Sequence, residues 1–390
     1  MAYWVTILTE CCIFAILALG LNMVWGWSGD FDLAFYGYMA LGTYTTMVVT
    51  IGTPVPPVEY ILGWHLPFLV AIPVAMAVVV AFAAVIGAIA LRNLREIYFA
   101  ITTLGAISAL YLVVQNYTPL FNGFNGLFGL VDPGQAQLHL DYQGYRDFLL
   151  AFCAGLLLAV YLFAQRVSTS PLGRMLRAVR DDERAAAVYG RNIFWAKYRA
   201  YLMGAALAGL AGALFAVYLG AFNPSAWAPQ EILVLYAAIL VGGRGNPRGV
   251  VLGVFAVYIG FVEMTRYLPS LGSRPEFAPA VRQIIIGLLI ILMLRFRPQG
   301  LIPDRPRTDP DGSAGARAGP LALIRRRLGS STAAPGHSDH ADAEAGVASD
   351  VASPRDSAEP AGSTQSSPAA GGLRPADSPL AWPTPTAEEG

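Results

Sequence analysis

Lysine is almost absent from this chain: Lys197 is the only one in 390 residues, and arginine carries the rest of the positive charge. A nucleotide-binding P-loop needs a lysine for the β- and γ-phosphates behind a glycine-rich lead-in. Lys197 stands in WAKYR, so any ATP the system uses must be bound by another chain. Cysteine is nearly as scarce. Cys11, Cys12 and Cys153 lie inside apolar runs with no C-x-x-C spacing, which argues against zinc or redox work and suits small core residues. His65 and His139 fall in polar loops, and His337 and His340 form an H-S-D-H pair in a low-complexity stretch. The apolar runs hold neither H-E-x-x-H nor G-x-S-x-G, so no enzyme, cofactor or metal centre is expected, and no nucleic-acid partner.

Charge itself is sparse, with 13% of residues charged against 55% hydrophobic and a mean hydropathy of +0.50. That balance is too apolar for a soluble fold and predicts a membrane protein. A helical span needs about 20 apolar residues. Suitable runs cover Tyr3 to Trp25, Leu33 to Ile51, Leu66 to Leu91, Ile97 to Gln115, Phe148 to Ala164, Arg199 to Phe222, Val250 to Tyr267 and Val281 to Leu294. Pro229 to Val241 is apolar but short, which predicts a tilted, broken or re-entrant helix. The fold class is therefore all-α, a polytopic membrane domain over 1–303 with about 8–10 transmembrane helices, some of them broken or re-entrant. The first run has no basic leader and no A-x-A site, and is expected to be a retained span.

Arginine sets the orientation. The segment from Gln165 to Arg199 carries Arg166, Arg174, Arg177, Arg180, Arg184, Arg191, Lys197 and Arg199 against Asp181, Asp182 and Glu183, which places it in the cytoplasm. Alternating outward, Arg92, Arg95, Arg244, Arg248, Arg295 and Arg297 then also fall inside if the short segment crosses, and the loop 116–147 falls outside. About nine crossings and an external N-terminus follow. Beyond Asp304 the chain turns rich in Pro, Gly, Ser, Ala and Asp, and residues 304–390 are expected to be a disordered cytoplasmic tail. From Gly336 onward nine acidic residues face only Arg355 and Arg374. Leu321 to Gly329, LALIRRRLG, suits either the anionic face of the bilayer or a solvated charge cluster.

Few ionisable groups enter the runs; Glu10, Glu231 and Glu263 are the clearest. Intramembrane carboxylates are often functional, yet a proton-coupled carrier would be expected to show more of them, in pairs. Glu231 opens the short segment after Pro229, where it suits either the first turn of a helix, favoured by the dipole, or the solute path. Small residues recur every fourth position in MGAALAGLAGALFA. Gly204, Ala208 and Gly212 share one face, with Ala205, Gly209 and Ala213 beside it, which predicts close helix packing within the chain or at a dimer contact. The loops GWSGDFD, Gly26 to Asp32, and GGRGNPRG, Gly242 to Gly249, mark breaks between helices where freed backbone can line a transport path.

The most informative stretch is SPLGRMLRAVRDDERAAAVYGRN, Ser170 to Asn192. Ser170 suits an N-cap, Pro171 the first helical position and Gly190 the terminating one, so a short cytoplasmic helix is expected. Leu172, Met175, Leu176 and Val179 form an apolar stripe, while Arg174, Arg177, Arg180, Asp181 and Arg184 occupy other faces. Such a helix lies on a membrane surface or docks into a partner groove.

On these residues the chain resembles the permease family of ABC importers for branched-chain amino acids, of the LivM type. The resemblance covers about Leu19 to Ile302. Its strongest block is PLGRMLRAVRDDERAAAVYGRNIFWAKYRAYLMGAALAGLAGALFA, supported by GLNMVWGWSG, MALGTYTTMV, IYFAITTLG, FNGFNGLFGL, EILVLYAAILVGGRGNPRGVVLG and LRFRPQGLI. Two stretches depart from the family pattern: DFDLAFYGY carries Asp30 and Asp32 where uncharged residues are usual and lacks a Gly-His pair, and FNGFNGL lacks the usual Thr-Gly-Gly lead. The resemblance implies an ATPase-coupling loop containing Gly173, Arg174, Arg177, Arg180, Asp181, Asp182, Ala186 and Gly190, and a translocation path near Asn125, Gly126 and Glu231. It also implies a multi-pass protein of the bacterial inner membrane, working with a second homologous permease, two ABC ATPase subunits and an extracytoplasmic solute-binding protein. The expected cargo is branched-chain or other hydrophobic amino acids. Urea or a short amide is the alternative cargo, and a secondary carrier the alternative class.

Overall fold

The computed structural model describes residues 2–51, 64–93, 96–130, 141–188, 190, 192–227, 231–266, 277–297 and 299–302. The tail from 304 onward, with its 321–329 cluster, His337 and His340, lies outside the described residues, as do His139, Arg191, Pro229 and the side chain of Glu263.

Twelve helices are described in chain order. They are α1 Ala2–Leu21, α2 Phe35–Thr50, α3 Phe68–Asn93, α4 Glu96–Asn116 and the single turn α5 Thr118–Phe121. There follow α6 Tyr142–Thr169, α7 Pro171–Asp181, α8 Glu183–Val188, α9 Ile193–Leu219, α10 Ile232–Gly242, α11 Pro247–Arg266 and α12 Phe277–Phe296. Helix α1 runs on into a π-helical stretch, Asn22–Ser28, which Gly29 ends in the left-handed conformation. Two-residue strands β1 Leu127–Phe128 and β2 Ala221–Phe222 pair antiparallel.

Among the described residues five segments are long and apolar enough to cross a membrane: Tyr3–Ser28, Phe68–Arg92, Ile97–Asn116, Tyr142–Thr169 and Ile193–Leu219. Their inner and outer members differ in how much they hide. In α9 and α1 most of the apolar window is buried, whereas α3, α4 and α6 bury less than a third of theirs and present Val85, Ile89, Ile101, Leu112, Leu158 and Leu162 outward. In water that outer surface would be an enormous apolar patch; in a bilayer it is the lipid face.

Helix α9 is the centre of the bundle, packed against α1, α2 and α3. The four-residue repeat makes this possible. A Cβ on Gly204 would sit 2.8 Å from the Gly20 carbonyl oxygen, and one on Gly212 only 2.2 Å from the Met39 carbonyl oxygen. Thr43 Oγ1 closes the second crossing by donating to Gly212 O at 3.0 Å. The small-residue face is thus consumed inside this chain, which decides between its two expected uses.

The short apolar segment also finds its place. Helix α10 has 11 residues and, at about 1.5 Å per residue, covers roughly half of a ~30 Å hydrocarbon core. Yet the chain enters from β2, at the end of the bundle where α4 and α9 stop, and leaves at Gly245, which meets Asn22 and Trp27 at the opposite end. It therefore traverses as a broken helix. Before it stands the 3-10 turn Pro224–Trp227, covered by aromatic rings, with Trp227 5.2 Å from Tyr111 and 6.2 Å from Tyr44, and Tyr44 in turn against Phe121 and Phe222. Such backbone is tolerated at membrane depth only where protein covers it.

Candidate functional site

At the end of the bundle where α6 stops and α9 begins, the connector folds as two helices and not one. Ser170 caps α7 as expected, its Oγ accepting from Gly173 N at 3.4 Å, with Pro171 in the first position. The helix then breaks at Asp182, whose backbone is extended (φ −156°, ψ 105°). Asp182 starts α8 by accepting from Ala185 N at 3.0 Å. This corrects the expectation of a single helix from Ser170 to Asn192: an aspartate that satisfies a free N–H of the next turn competes with helix continuation. Gly190 does adopt the left-handed conformation, φ 70°, after α8 ends at Val188.

The apolar stripe faces inward. Leu176 and Val179 are fully buried, and Leu172 and Met175 are partly so. The arginines divide by task. Arg174 Nη1 donates to Thr169 O at 3.0 Å and Arg177 Nη2 to Ser168 O at 2.7 Å, so both satisfy carbonyls at the C-terminus of α6, where positive charge is favoured. Arg180 reaches inward and donates from Nη1 to the Gly26 carbonyl. Its Nε also lies 3.6 Å from exposed Asp181. Outward there remain Asp181, Asp182, Glu183, Arg184 and Ala187, with Val188 86% exposed; Ala186 turns inward.

What α7 sits on is the π-helical end of α1, which in turn holds the GGRGNPRG loop. Gly245 N donates to Asn22 Oδ1 at 2.8 Å, Trp27 Nε1 donates to Gly245 O at 3.0 Å, and Arg244 lies 4.8 Å over the Trp25 ring. The end of the described chain closes the same corner. Leu301 N donates to Val241 O at 2.8 Å and Ile302 N to Gly242 O at 3.0 Å, satisfying carbonyls at the C-terminus of α10. Neither link is visible in the sequence, since each joins segments far apart in the chain.

Beside Arg180 lies a charge cluster that sequence reasoning noted only as separate oddities. Lys197 Nζ is 2.9 Å from Asp30 Oδ1, with both side chains buried, and 3.5 Å from Glu183 Oε2, whose side chain is 51% exposed. Ser28 Oγ donates to Asp30 Oδ2 at 2.9 Å. Burial raises the Asp30 carboxyl above the ordinary range, Lys197 and Ser28 oppose the rise, and Glu183 adds to it. Asp32, on the same connection between α1 and α2, is fully buried, and burial pushes its carboxyl up to about 7. Its Oδ1 accepts from Ala34 N at 2.9 Å and its carbonyl from Tyr236 Oη at 2.6 Å, which ties α10 to the start of α2. The signal available in the sequence was the coincidence of a sole lysine with two extra aspartates, but no spacing connects them.

At the opposite end, Asn125 is exposed while Gly126 is buried, in a φ +74° conformation where a Cβ would lie 2.3 Å from Phe222 O. Both stand next to the Pro224–Trp227 turn. Glu231, partly exposed, occupies the N-cap position of α10 without a side-chain cap, so it is a helix-start carboxylate near the dipole. Glu10 accepts from Tyr218 Oη at 3.2 Å. No cluster of three or more metal-ligating side chains occurs among the described residues.

A lipid-facing helical bundle with a broken crossing and an amphipathic connector docked at one end defines a multi-pass membrane protein. Residues 3–294 match the family described as branched-chain amino acid transport system / permease component, and the chain belongs to that family. It is 31% identical over 324 residues to the high-affinity branched-chain amino acid transport system permease protein LivM of Escherichia coli K12, covering 78% of this chain and 71% of that one. It is 32% identical over 239 residues to the probable LivM permease of Methanocaldococcus jannaschii, covering 58% of this chain and 66% of that one, just under two thirds of its length. The E. coli permease LivH is 25% identical over 307 residues, 76% of this chain and 92% of that one. No solved structure matches the chain.

Proposed function

We propose that this permease carries branched-chain or other hydrophobic amino acids across a bacterial plasma membrane, driven by ATP that two separate ABC ATPase subunits hydrolyse. The observation that carries the reading is the α7–α8 connector: an amphipathic helix seated on the π-helical end of α1, with an outward face of Glu183, Arg184 and Val188 left for a motor. A second homologous permease completes the pathway, since the relatives include both LivM and LivH proteins of one organism. A solute-binding protein delivers cargo at the opposite end, near Asn125, Gly126 and Glu231. The connector lies in the cytoplasm with the C-terminus, and the 304–390 tail follows the permease domain as a cytoplasmic extension.

The chemistry assigned to this chain is mechanical. A motor that shifts α7 shifts Arg180, and Arg180 holds the Gly26 carbonyl. A π-helical turn, with its i→i+5 bonds, is a local widening and under-winding of the α-helix that often marks functional sites, so Asn22–Ser28 is a place where α1 can change register at low cost. Displacing it moves Gly245 and with it the broken crossing. The names of the relatives favour amino acids over urea or a short amide. The test is reconstitution with the neighbouring ATPases, second permease and binding protein in proteoliposomes. ATP-dependent uptake of labelled leucine, isoleucine or valine is expected, and uptake of urea or acetamide in its place would overturn the cargo.

A further inference from the structure

We infer that Lys197 is a positioning residue that joins the motor-facing helix α8 to the break between α1 and α2, by sharing its ammonium between Glu183 and Asp30. The inference rests on the proposed coupling to ATPases and names the residues that transmit it.

The geometry carries the argument. Asp30 and Lys197 come from segments 167 residues apart, meet at 2.9 Å and are buried, Lys197 with a side-chain exposure of 9% and Asp30 of 4%. Taking two charges out of water is costly, and a well-packed apolar pair is often as stable or more so. A packing role alone therefore gives no reason for charge here. The third member supplies one. Glu183 is the first residue of α8, directly after the break at Asp182, half exposed on the face assigned to the motor, and still within 3.5 Å of Lys197. Two carboxylates thus compete for one ammonium, and Glu183 raises the proton affinity of Asp30. Moving α8 outward withdraws Glu183 and strengthens the hold of Lys197 on Asp30. Moving α8 inward pulls Lys197 back toward the surface and loosens Asp30, hence the connection 29–34 that begins α2. Arg180 acts in parallel on Gly26, three residues before Gly29, so the connector grips both sides of the turn at Gly29.

The test uses the complete reconstituted complex and reads solute taken up per ATP hydrolysed. In the swap Asp30→Lys with Lys197→Asp, the buried pair is kept but inverted, and Glu183 now faces an aspartate. The complex is expected to assemble with normal melting temperature, while uptake per ATP falls about tenfold, within the range of allosteric coupling. Adding Glu183→Lys restores attraction at all three positions, and the ratio should recover to within about twofold of wild type. A swap complex with the wild-type ratio would overturn the inference, as would an assembled triple variant that fails to recover. If the swap does not assemble, Glu183→Gln decides the matter, because its side chain is half exposed and its loss is tolerated by the fold. It should lower uptake per ATP about threefold, in line with the modest strength of a partly exposed pair, and an unchanged ratio would overturn the inference. A wild-type complex whose ATP hydrolysis never drives uptake would instead count against the proposed function itself.

Discussion

Arg180, on the connector between α6 and α9, donates a hydrogen bond to the backbone carbonyl of Gly26, inside the π-helical end of α1. The contact spans 154 residues of sequence and joins the surface assigned to the motor to the interior of the bundle. It follows that Arg180 matters through its inward bond and not only through what it shows a partner.

Arg180→Glu places a carboxylate against a carbonyl. Loss of a charge-assisted bond costs about 1.5–3 kcal/mol, and the repulsion adds to it. Insertion and subunit stoichiometry should survive, while solute-stimulated ATP hydrolysis and uptake are lost. Arg180→Lys should retain part of both. The measurement is ATPase activity with and without loaded binding protein, and wild-type stimulation in the glutamate variant would refute the role.

Gly212→Val tests the central helix. Its Cβ would approach the Met39 carbonyl oxygen at 2.2 Å, so α2 and α9 must separate and the Thr43 bond to Gly212 is lost. Overpacking of this kind typically costs about 1–3 kcal/mol, expected as a clear fall in the melting temperature of the detergent-solubilised protein. Gly155→Ala is the control: nothing lies within 4 Å of the added Cβ, and the higher helix propensity of alanine should leave stability equal or slightly raised.

Truncation separates the tail from the anchor that precedes it. Ending the chain after Pro303 should leave insertion and transport intact, because residues 304–390 carry no periodic apolar pattern to bury. Ending it after Phe296 removes the bonds from Leu301 to Val241 and from Ile302 to Gly242. At about 0.5–1.5 kcal/mol for each bond, the shorter protein should melt earlier and lose solute-driven ATP hydrolysis. Equal melting of the two truncations would show that the anchor contributes nothing.

Orientation is open to thiol labelling. The native Cys11, Cys12 and Cys153 are buried and form a quiet background. Gln137→Cys should react with an impermeant reagent in intact cells, and Ala187→Cys, exposed on α8, only after permeabilisation. The opposite pattern would reverse the topology drawn from arginine placement.

By itself the sequence determined the membrane class, the positions of the spans and the start of α7. These rest on local quantities: a run of about 20 apolar residues, and a serine and proline at a helix start. It also marked Pro229 to Val241 as too short for an ordinary span. Only the tertiary structure decided what that shortness means, because the 3-10 turn Pro224–Trp227 that precedes α10 is covered by Tyr44 and Tyr111. The break at Asp182 was equally hidden, since helical periodicity continues through ERAAAV and the side-chain bond to Ala185 N is a matter of conformation. Tertiary structure alone showed that Arg174 and Arg177 hold α6 while Arg180 turns inward, and that Lys197 meets Asp30. Hydrophobic pattern sets where helices form, but a pairing across 150 or more residues depends on how those helices cross, which Gly204 and Gly212 settle by letting α9 approach α1 and α2.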